Sequence, residues 1–390
     1  MTKNFKIFSL VLTGIASLAI AIGIGRFSYT PILPYMLAEL GLTATEGGLI
    51  ASSNFFGYLL GSLIPILPFF PKKIKKFFFL SITICILTVF FMGFVENLKY
   101  FIFLRFVHGV FSAFVLILGT SIILPHIQEL GKIYLSTAHF SGVALGMVLS
   151  SIVVSYLGSF GIGWNGLWIS VGILSVLLSI QILLYTPEQK EYLNTNYNFN
   201  PKSIFSFTLI SISYCLYGFG YVAFGTFIST MARTTAGLEN TEPYIWLIVG
   251  IAGIPSVFFW NWFGQKIGND LALFLACSIM GFGVLLSVLN NNQFCFLFSA
   301  ILFGLTFIPI TAMSLLEGQK RFSGSFIVSA AILTSSFSIG QVVGPYLAGY
   351  ITDFTGSFNI SMYVSGSALI FGSFLMVNPN RVFKKLNVFL

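Results

Sequence analysis

The sequence predicts an all-α integral membrane protein with twelve transmembrane helices, arranged as two six-helix bundles. Three observations predict this fold class: the scarcity of charge, a dozen long apolar stretches, and a weak internal repeat of about half the chain length. Of the 390 residues, 56% are hydrophobic and only 8% are charged, whereas a soluble globular protein carries about 25% charged residues. Such a chain cannot cover a water-facing surface, and it is too apolar to be disordered.

Twelve apolar stretches approach or exceed the length of about 20 residues that a helix needs to cross a bilayer. They lie at 6–36, 46–67, 77–95, 100–124, 134–157, 165–185, 204–232, 243–263, 271–289, 294–316, 324–351 and 359–377. The segments between them are too short for a soluble domain, which excludes a pump driven by ATP hydrolysis. The sequence also lacks the enzyme motifs HExxH, GxSxG and GxxxxGK[ST]. We therefore predict no enzymatic activity, no cofactor and no metal.

An even number of spans places both termini on one side, and the basic residues predict which side. Fifteen of the 19 lysines and arginines lie on segments that share a side with the N-terminus, against Lys99 and Arg233 on the other side. Because cytoplasmic loops carry an excess of Lys and Arg, both termini are predicted to be cytoplasmic. Topology then explains most of the net charge of +8, and no nucleic-acid partner is expected. The two remaining basic residues, Arg26 and Arg105, fall within spans 1 and 4.

A polar segment at 186–203 divides the chain into an N-terminal bundle, 1–185, and a C-terminal bundle, 204–390. The bundles resemble each other weakly, with similar pairs recurring in order at offsets of 195 to 198 residues. The pairs are Gly23–Arg26 with Gly218–Tyr221, Thr45–Glu46 with Thr241–Glu242, His108–Gly109 with Phe303–Gly304, and Gly142 and Gly146 with Gly340 and Gly344. Four ordered pairs at nearly one offset favour a parallel two-fold repeat.

Several motifs resemble those of the major facilitator superfamily, and the resemblance covers nearly the whole chain. Arg105-Phe-Val-His-Gly109 resembles its span-4 motif, and Gly340-Gln-Val-Val-Gly344-Pro345 resembles its glycine–proline helix-contact motif. A tighter match, to the YbfB/YjiJ-like bacterial branch, consists of Gly23-Ile-Gly-Arg26-Phe-Ser-Tyr-Thr-Pro-Ile-Leu-Pro34 followed by Gly47-Gly-Leu-Ile-Ala-Ser-Ser-Asn54-Phe-Phe-Gly-Tyr58. The loop after span 2 keeps basic residues, Lys72-Lys73-Ile-Lys75-Lys76, but lacks the aspartate usual in the superfamily.

The resemblance implies a fold and a mode of action. The fold is the major facilitator fold, and the protein would be a secondary transporter in the bacterial inner membrane, with the lipid bilayer as its surroundings. Two six-helix bundles would rock about a site near mid-membrane, and spans 1 and 4 would line the central cavity. We expect a monomer, and the resemblance leaves the substrate open.

Three residues of the N-terminal bundle predict an anion site. Arg26 and Arg105 both fall in the outer halves of their spans, and His108 shares a helical face with Arg105. No carboxylate lies deep in spans 1–6, and the planar fork of arginine suits carboxylate, phosphate or sulfate. Other interpretations stay open: Arg26 extends to the headgroups, Arg105 bonds backbone carbonyls of a neighbouring span, or His108 is a packing residue rather than a proton carrier.

The C-terminal bundle offers aromatic and amide groups instead of charge. Tyr217 and Tyr221 lie on one face of span 7 with Tyr214, and Tyr221 occupies the repeat position of Arg26. We predict that Tyr217 and Tyr221 contact the substrate, the alternative being an aromatic packing stripe. Asn54 in span 2 and Gln341 in span 11 are polar groups at depth, either substrate ligands or inter-helix hydrogen bonds.

Glycines spaced four residues apart predict close helix contacts. They are Gly142 and Gly146 in span 5 and Gly340 and Gly344 in span 11, with Pro345 after the latter. In a rocking transporter we expect such seams where the two bundles slide, with Pro345 permitting a bend.

The function predicted from the sequence is transport of a small organic anion, most simply a carboxylate, clamped by Arg26 and Arg105. Anion uniport or counter-exchange and proton symport through His108 are equally favoured for coupling, and a proton carried by the substrate itself is a further alternative. Rival functions are efflux of amphipathic or cationic compounds, and a receptor or scaffold that transports nothing.

Overall fold

The computed structural model describes residues 3–64, 74–129, 139–188, 204–289, 292–322 and 326–377, and these form long helices without a strand. The N-half contains α1 (Lys3–Leu18), α2 (Tyr29–Leu40), α3 (Ala44–Leu63), α4 (Ile74–Phe91), α5 (Leu98–Glu129), α6 (Ser141–Ser159) and α7 (Trp164–Tyr185). The C-half contains α8 (Ile204–Thr234), α9 (Glu242–Ile267), α10 (Asn269–Leu289), α11 (Gln293–Arg321), α12 (Phe326–Thr355) and α13 (Asn359–Met376). The predicted linker from residue 189 onward, and Lys72 and Lys73, lie outside the described residues.

Ten segments of the described chain are long and apolar enough to cross a membrane. The two other long helices at predicted spans are α3 and α12, which have 20 and 30 residues. They pack against each other across the two halves: a methyl group at Gly48 would overlap the Pro345 carbonyl, and one at Gly349 would overlap that of Ala44. Their small and polar residues therefore face protein rather than lipid, which lowers their hydropathy. The count of twelve spans thus remains a prediction from the sequence.

The first predicted span is broken in the middle. After α1 the backbone forms a π-helical turn, Ala19–Ile24, and then an irregular turn over residues 25–28, in which the Arg26 and Ser28 N–H groups still bond carbonyls four residues back, before α2 begins. The Thr30 N–H bonds the Phe27 carbonyl, since Pro31 has no N–H to offer it. The carbonyl of Arg26 thereby loses its helical partner. Irregular backbone at membrane depth is tolerated only when it is buried in protein, and Ala19 to Met36 are buried almost without exception.

The two faces of the bundle can be named by the chain. We call the end where α1 begins and α7 finishes the terminal face, and the end where α2 finishes and α3 begins the distal face. Among the described residues, the hydrogen bonds between the two halves lie toward the distal face. Thr30 Oγ1 donates to the Gly225 carbonyl at 2.7 Å, Ser155 Oγ donates to the Pro243 carbonyl at 2.6 Å, and Asp353 accepts from the Thr45 N–H at 2.7 Å. These bonds tie the two halves together at the distal side.

Equivalent contacts recur in the two halves at an offset of 195 residues. Gly109 lies against the carbonyl of Asn54, and Gly304 lies against the carbonyl of Val249. In both pairs a glycine lets two helices approach to backbone contact, which a larger residue would prevent. The Thr30–Gly225 hydrogen bond also joins positions 195 residues apart. Thr30 of α2 thus contacts the residue at its own repeat position in α8.

The predicted glycine seams lie within the halves rather than between them. A methyl group at Gly146 would lie 2.6 Å from the Ala19 carbonyl oxygen, and Gly142 meets Ile15 in the same way. Gly344 lies against the carbonyl of Phe219 in α8, and Gly340 against that of Cys215. The expectation that these four glycines form the sliding surface therefore needs correction, because their partners belong to the same half. At the seam between halves lies Pro345, whose carbonyl faces Gly48.

Candidate functional site

Arg26 lies at the break between α1 and α2, with its side chain inside the protein. Only 5% of the residue is exposed. Its guanidinium carbon stands 4.2 Å from the ring centre of Tyr58 and 5.0 Å from that of Phe55, both on α3. A side chain reaching for the headgroups would be exposed at its tip. Arg26 is instead a buried cation stacked on two aromatic rings.

Two nitrogens of the Arg26 guanidinium, Nε and Nη2, are buried without a hydrogen-bond partner. The residue lines a small cavity of about 20 Å³ between the two halves, enough for roughly one water molecule. Other lining residues include Thr30 and Arg105 from the N-half and Tyr221, Gly225 and Thr226 from the C-half. Unpartnered buried donors are uncommon in native proteins and each needs an explanation.

Arg105, on α5, lines the same cavity, but its hydrogen bonds go to the protein. Nη1 donates to the Gly25 carbonyl at 2.6 Å and Nη2 donates to the Arg26 carbonyl at 3.1 Å. These carbonyls belong to the turn where the helix of the first span is interrupted. The Arg105 guanidinium also stands 4.9 Å from the ring centre of Tyr29. The geometry matches the alternative in which Arg105 bonds a neighbouring span.

Neither arginine has an acidic partner in the described part of the chain. The ion pairs found there lie elsewhere, at Lys75–Glu188, Arg233–Glu242 and Glu317 with Lys320 and Arg321. Arg105 is compensated by carbonyl dipoles and a ring face and keeps one unpartnered nitrogen, Nε, whereas Arg26 is compensated by ring faces and keeps two, Nε and Nη2. Two cations at one cavity without a carboxylate give the site a positive potential.

His108 lies behind this cavity rather than in it. Its Nε2 is 3.0 Å from the Ala21 carbonyl, which can only accept, so this nitrogen carries a hydrogen. Its Nδ1 is 3.0 Å from the Thr88 hydroxyl. A methyl group at Gly25 would overlap the His108 ring, which explains the small residue there. The ring therefore packs against the first span, and the structure does not bring it to the predicted anion site.

Tyr221 brings the C-half to the cavity, and Gln341 holds it. The Gln341 amide Nε2 donates to the Tyr221 hydroxyl at 2.7 Å, and both side chains are buried. Since that hydroxyl accepts from the amide, its own proton is available to another acceptor. Tyr221 also interacts electrostatically with Arg26 across the cavity. Gln341 thus acts at the site through Tyr221.

Tyr217 belongs to an aromatic stack instead of the cavity wall. Its ring lies parallel to that of Tyr221, with centres 5.0 Å apart, and its hydroxyl donates to the Phe307 carbonyl. Phe337 stacks on both tyrosines. The structure therefore places Tyr217 as predicted on the face of Tyr221, with its polar end already bonded to the protein.

Asn54 joins two helices. Its Nδ2 donates to the Arg105 carbonyl at 2.9 Å, while its Oδ1 is buried without a partner. This bond ties α3 to α5 at the level of the arginines. Sequence reasoning missed Phe55 and Tyr58, which flank Arg26. Their only signal is helical spacing, since Tyr58 follows Asn54 by one turn, and that spacing does not reveal which residue they touch.

The ten long apolar helical segments of the described chain indicate a multi-pass membrane protein. A family model described as "Uncharacterised MFS-type transporter YbfB" matches residues 18–377. The chain therefore belongs to this family of the major facilitator superfamily, in agreement with the motifs at Gly23–Pro34 and Gly47–Tyr58.

Comparison with individual proteins gives more distant similarities. A "Quinolone resistance transporter" from Acinetobacter baumannii is 24% identical over 383 residues, covering 87% of this chain and 86% of the relative. The crystal structure of the nucleoside transporter NupG superposes with a TM-score of 0.72 at 15% identity, covering 95% of this chain and 98% of that chain. The structure of a point mutant of the same transporter gives a TM-score of 0.73, also at 15% identity, over 94% and 98% of the two chains. At this identity the structures establish the shared fold alone.

Proposed function

We propose that this transporter moves a small organic anion, a carboxylate, with Arg26 as the residue that binds its charge. The observation that supports this best is a buried guanidinium with two unpartnered N–H donors at a cavity between the two halves. Leaving a buried charge uncompensated is costly in any membrane protein. A substrate anion is the partner that removes this cost when it binds.

Tyr221 provides the second contact, from the opposite half. A carboxylate bonded to Arg26 on the N-half and to the Tyr221 hydroxyl on the C-half would bridge the two. Substrate binding then favours the conformation in which the halves approach, because only that conformation makes both contacts at once. By bonding both halves at once, a bound substrate would favour the change between inward-facing and outward-facing conformations.

The closed distal side is the second part of the proposal. With both termini in the cytoplasm of a bacterial cell and twelve spans, the distal face is the outer face. The hydrogen bonds of Thr30, Ser155 and Asp353 then close the route from outside. We infer an inward-facing conformation, in which the cavity is sealed from the exterior.

The energy that drives transport is inferred to come from the transported molecules themselves rather than from a proton on His108. His108 is bonded through both ring nitrogens and lies behind Gly25, so it is poorly placed to exchange a proton with a bound anion. We infer exchange of one anion for another, or symport of a proton carried by the substrate, in a monomeric transporter.

Efflux of amphipathic compounds is a second candidate, favoured by the relative named for quinolone resistance. Quinolone antibiotics are aromatic carboxylic acids, which Arg26 and the surrounding aromatic rings would both suit. A hydrophobic cation would instead be repelled by two arginines. Both candidate functions therefore predict that the protein binds aromatic carboxylates. They differ in whether it also binds hydrophobic cations.

The test is ligand-induced thermal stabilisation of the purified protein with acetate, lactate, succinate, benzoate, nalidixate and tetraphenylphosphonium. We expect carboxylates to raise the unfolding temperature of the wild type, and this shift to vanish in Arg26→Ala. An unchanged shift in Arg26→Ala would exclude Arg26 as the anion-binding residue. Stabilisation by tetraphenylphosphonium alone would favour cation efflux, and the absence of flux of any stabilising compound in proteoliposomes would favour a receptor or scaffold.

A further inference from the structure

Two aromatic side chains of α3, Phe55 and Tyr58, hold the Arg26 guanidinium from the side. The ring centres are 5.0 Å and 4.2 Å from its central carbon, and both rings are buried. A ring face attracts a guanidinium electrostatically but accepts little or no hydrogen bonding from its N–H groups. The rings therefore compensate part of the charge while leaving the donors free.

The free donors are adjacent on the guanidinium. Nε and Nη2 of Arg26 are both buried without a hydrogen-bond partner, and in arginine they form one edge of the planar group. Their N–H bonds point the same way, which is the arrangement that binds both oxygens of a carboxylate. No aspartate or glutamate of the described residues occupies this edge.

We propose that Tyr58 and Phe55 are positioning residues that determine substrate specificity. By contacting Arg26 on two sides they fix the orientation of its guanidinium beside the cavity before the substrate arrives. The site then selects an anion with two coplanar oxygens. This inference rests on the proposed function, because it requires Arg26 to bind the anion.

Preorganisation explains why the rings matter for affinity and not only for packing. A free arginine side chain loses several rotatable bonds of freedom on binding, and that entropic cost weakens the complex. A stacked guanidinium has already lost this freedom. Removing one ring should therefore weaken binding even though the positive charge and the cavity remain.

The experiment measures the affinity of purified protein for benzoate and nalidixate in wild type, Tyr58→Leu, Tyr58→Phe and Arg26→Lys, and in the double variant Arg26→Lys/Tyr58→Leu. We expect Tyr58→Leu to weaken binding about tenfold, within the range of a desolvated cation–π contact. Tyr58→Phe keeps a ring face and should stay within about twofold of wild type. In the R26K background, which lacks the planar fork, Tyr58→Leu should add little.

The outcomes separate the two proposals. If carboxylates bind and Arg26→Ala abolishes binding, but Tyr58→Leu has no effect, the positioning role is wrong and the proposed function stands. An equal loss on the wild-type and R26K backgrounds would also overturn it, because the ring would then be general packing. Failure of every carboxylate to bind the wild type overturns the proposed function and this inference with it. Phe55→Leu repeats the test if Tyr58→Leu fails to fold, with Phe55→Tyr as its ring-keeping control.

Discussion

Arg26 and Arg105 are the same residue type at the same cavity, and their surroundings give them different tasks. Arg105 donates to two carbonyls of the first span and leaves only Nε without a partner, whereas Arg26 has both Nε and Nη2 buried without a partner. Sequence reasoning could place both within the membrane because charge there is rare. It could not assign which one is available to a substrate, since that depends on backbone carbonyls of another helix.

Arg105→Ala is expected to destabilise the protein. The substitution leaves the carbonyls of Gly25 and Arg26 buried without a donor, at about 1–3 kcal/mol for each unsatisfied group. We expect the unfolding temperature in detergent to fall by several degrees, and Arg105→Lys to recover part of the loss by bonding one carbonyl. A stability equal to wild type in Arg105→Ala would contradict the structural role.

Arg26→Met is expected to have the opposite effect on stability. It replaces an incompletely compensated buried cation with an apolar side chain of similar length, which removes the cost of burying the charge. Without ligand, the unfolding temperature should stay the same or rise, while stabilisation by carboxylates is lost. This combination is typical of a binding residue that is costly to the empty protein. A large drop in stability would instead indicate a structural residue.

At the scale of elements, α12 and α3 meet at the distal face through Asp353. Its carboxylate accepts from the Ala44 N–H at 3.0 Å, the Thr45 N–H at 2.7 Å and the Thr45 hydroxyl. A carboxylate at the first turn of a helix is also favoured by the helix dipole. The contact joins the two halves at the distal face, where we propose that it helps to close the route.

Asp353→Asn should therefore weaken the distal closure, because the amide keeps its size but loses the charge. In a Thr226→Cys reporter, we expect a membrane-impermeant maleimide to label the cavity from the distal side faster than it does without the substitution. Glu239→Gln is the matched control, since that carboxylate lies on the same face and, within the described ranges, accepts from the nearby Gly237 N–H. Equal labelling rates in the reporter alone, the reporter with Asp353→Asn and the reporter with Glu239→Gln would show that Asp353 does not restrict access from the distal side.

The same elements show where sequence patterns were informative. The apolar stretches located the helices to within a few residues, because lipid-facing side chains impose a long apolar run. The glycine pairs correctly predicted close contact between helix backbones, but they did not predict which helices meet. Gly146 faces Ala19 and Gly344 faces Phe219, so each glycine contacts a helix of its own half. A glycine signals that some helix approaches, and only the packed structure shows which one.

At the scale of the whole molecule, the orientation of the protein in the membrane determines which side of the membrane the distal face meets. In a background with Cys215 and Cys295 replaced by serine, Lys99→Cys should react with a membrane-impermeant maleimide on intact cells. Lys266→Cys should react only after the membrane is permeabilised, because the excess of basic residues keeps its segment in the cytoplasm. The reverse pattern would invert the topology and would make the closed distal side the cytoplasmic one.

The sequence by itself determined that this chain lies in the membrane, where its helices run, and that Arg26 and Arg105 are too deep to be topology signals. These follow from local composition, because the cost of polar groups in lipid acts on each segment separately. The tertiary structure decided the rest. It removed His108 from the cavity, bonded Arg105 to the first span, and placed Tyr58 and Phe55 beside Arg26. Those assignments depend on which helix faces meet, and contacts between residues distant along the chain leave no local pattern.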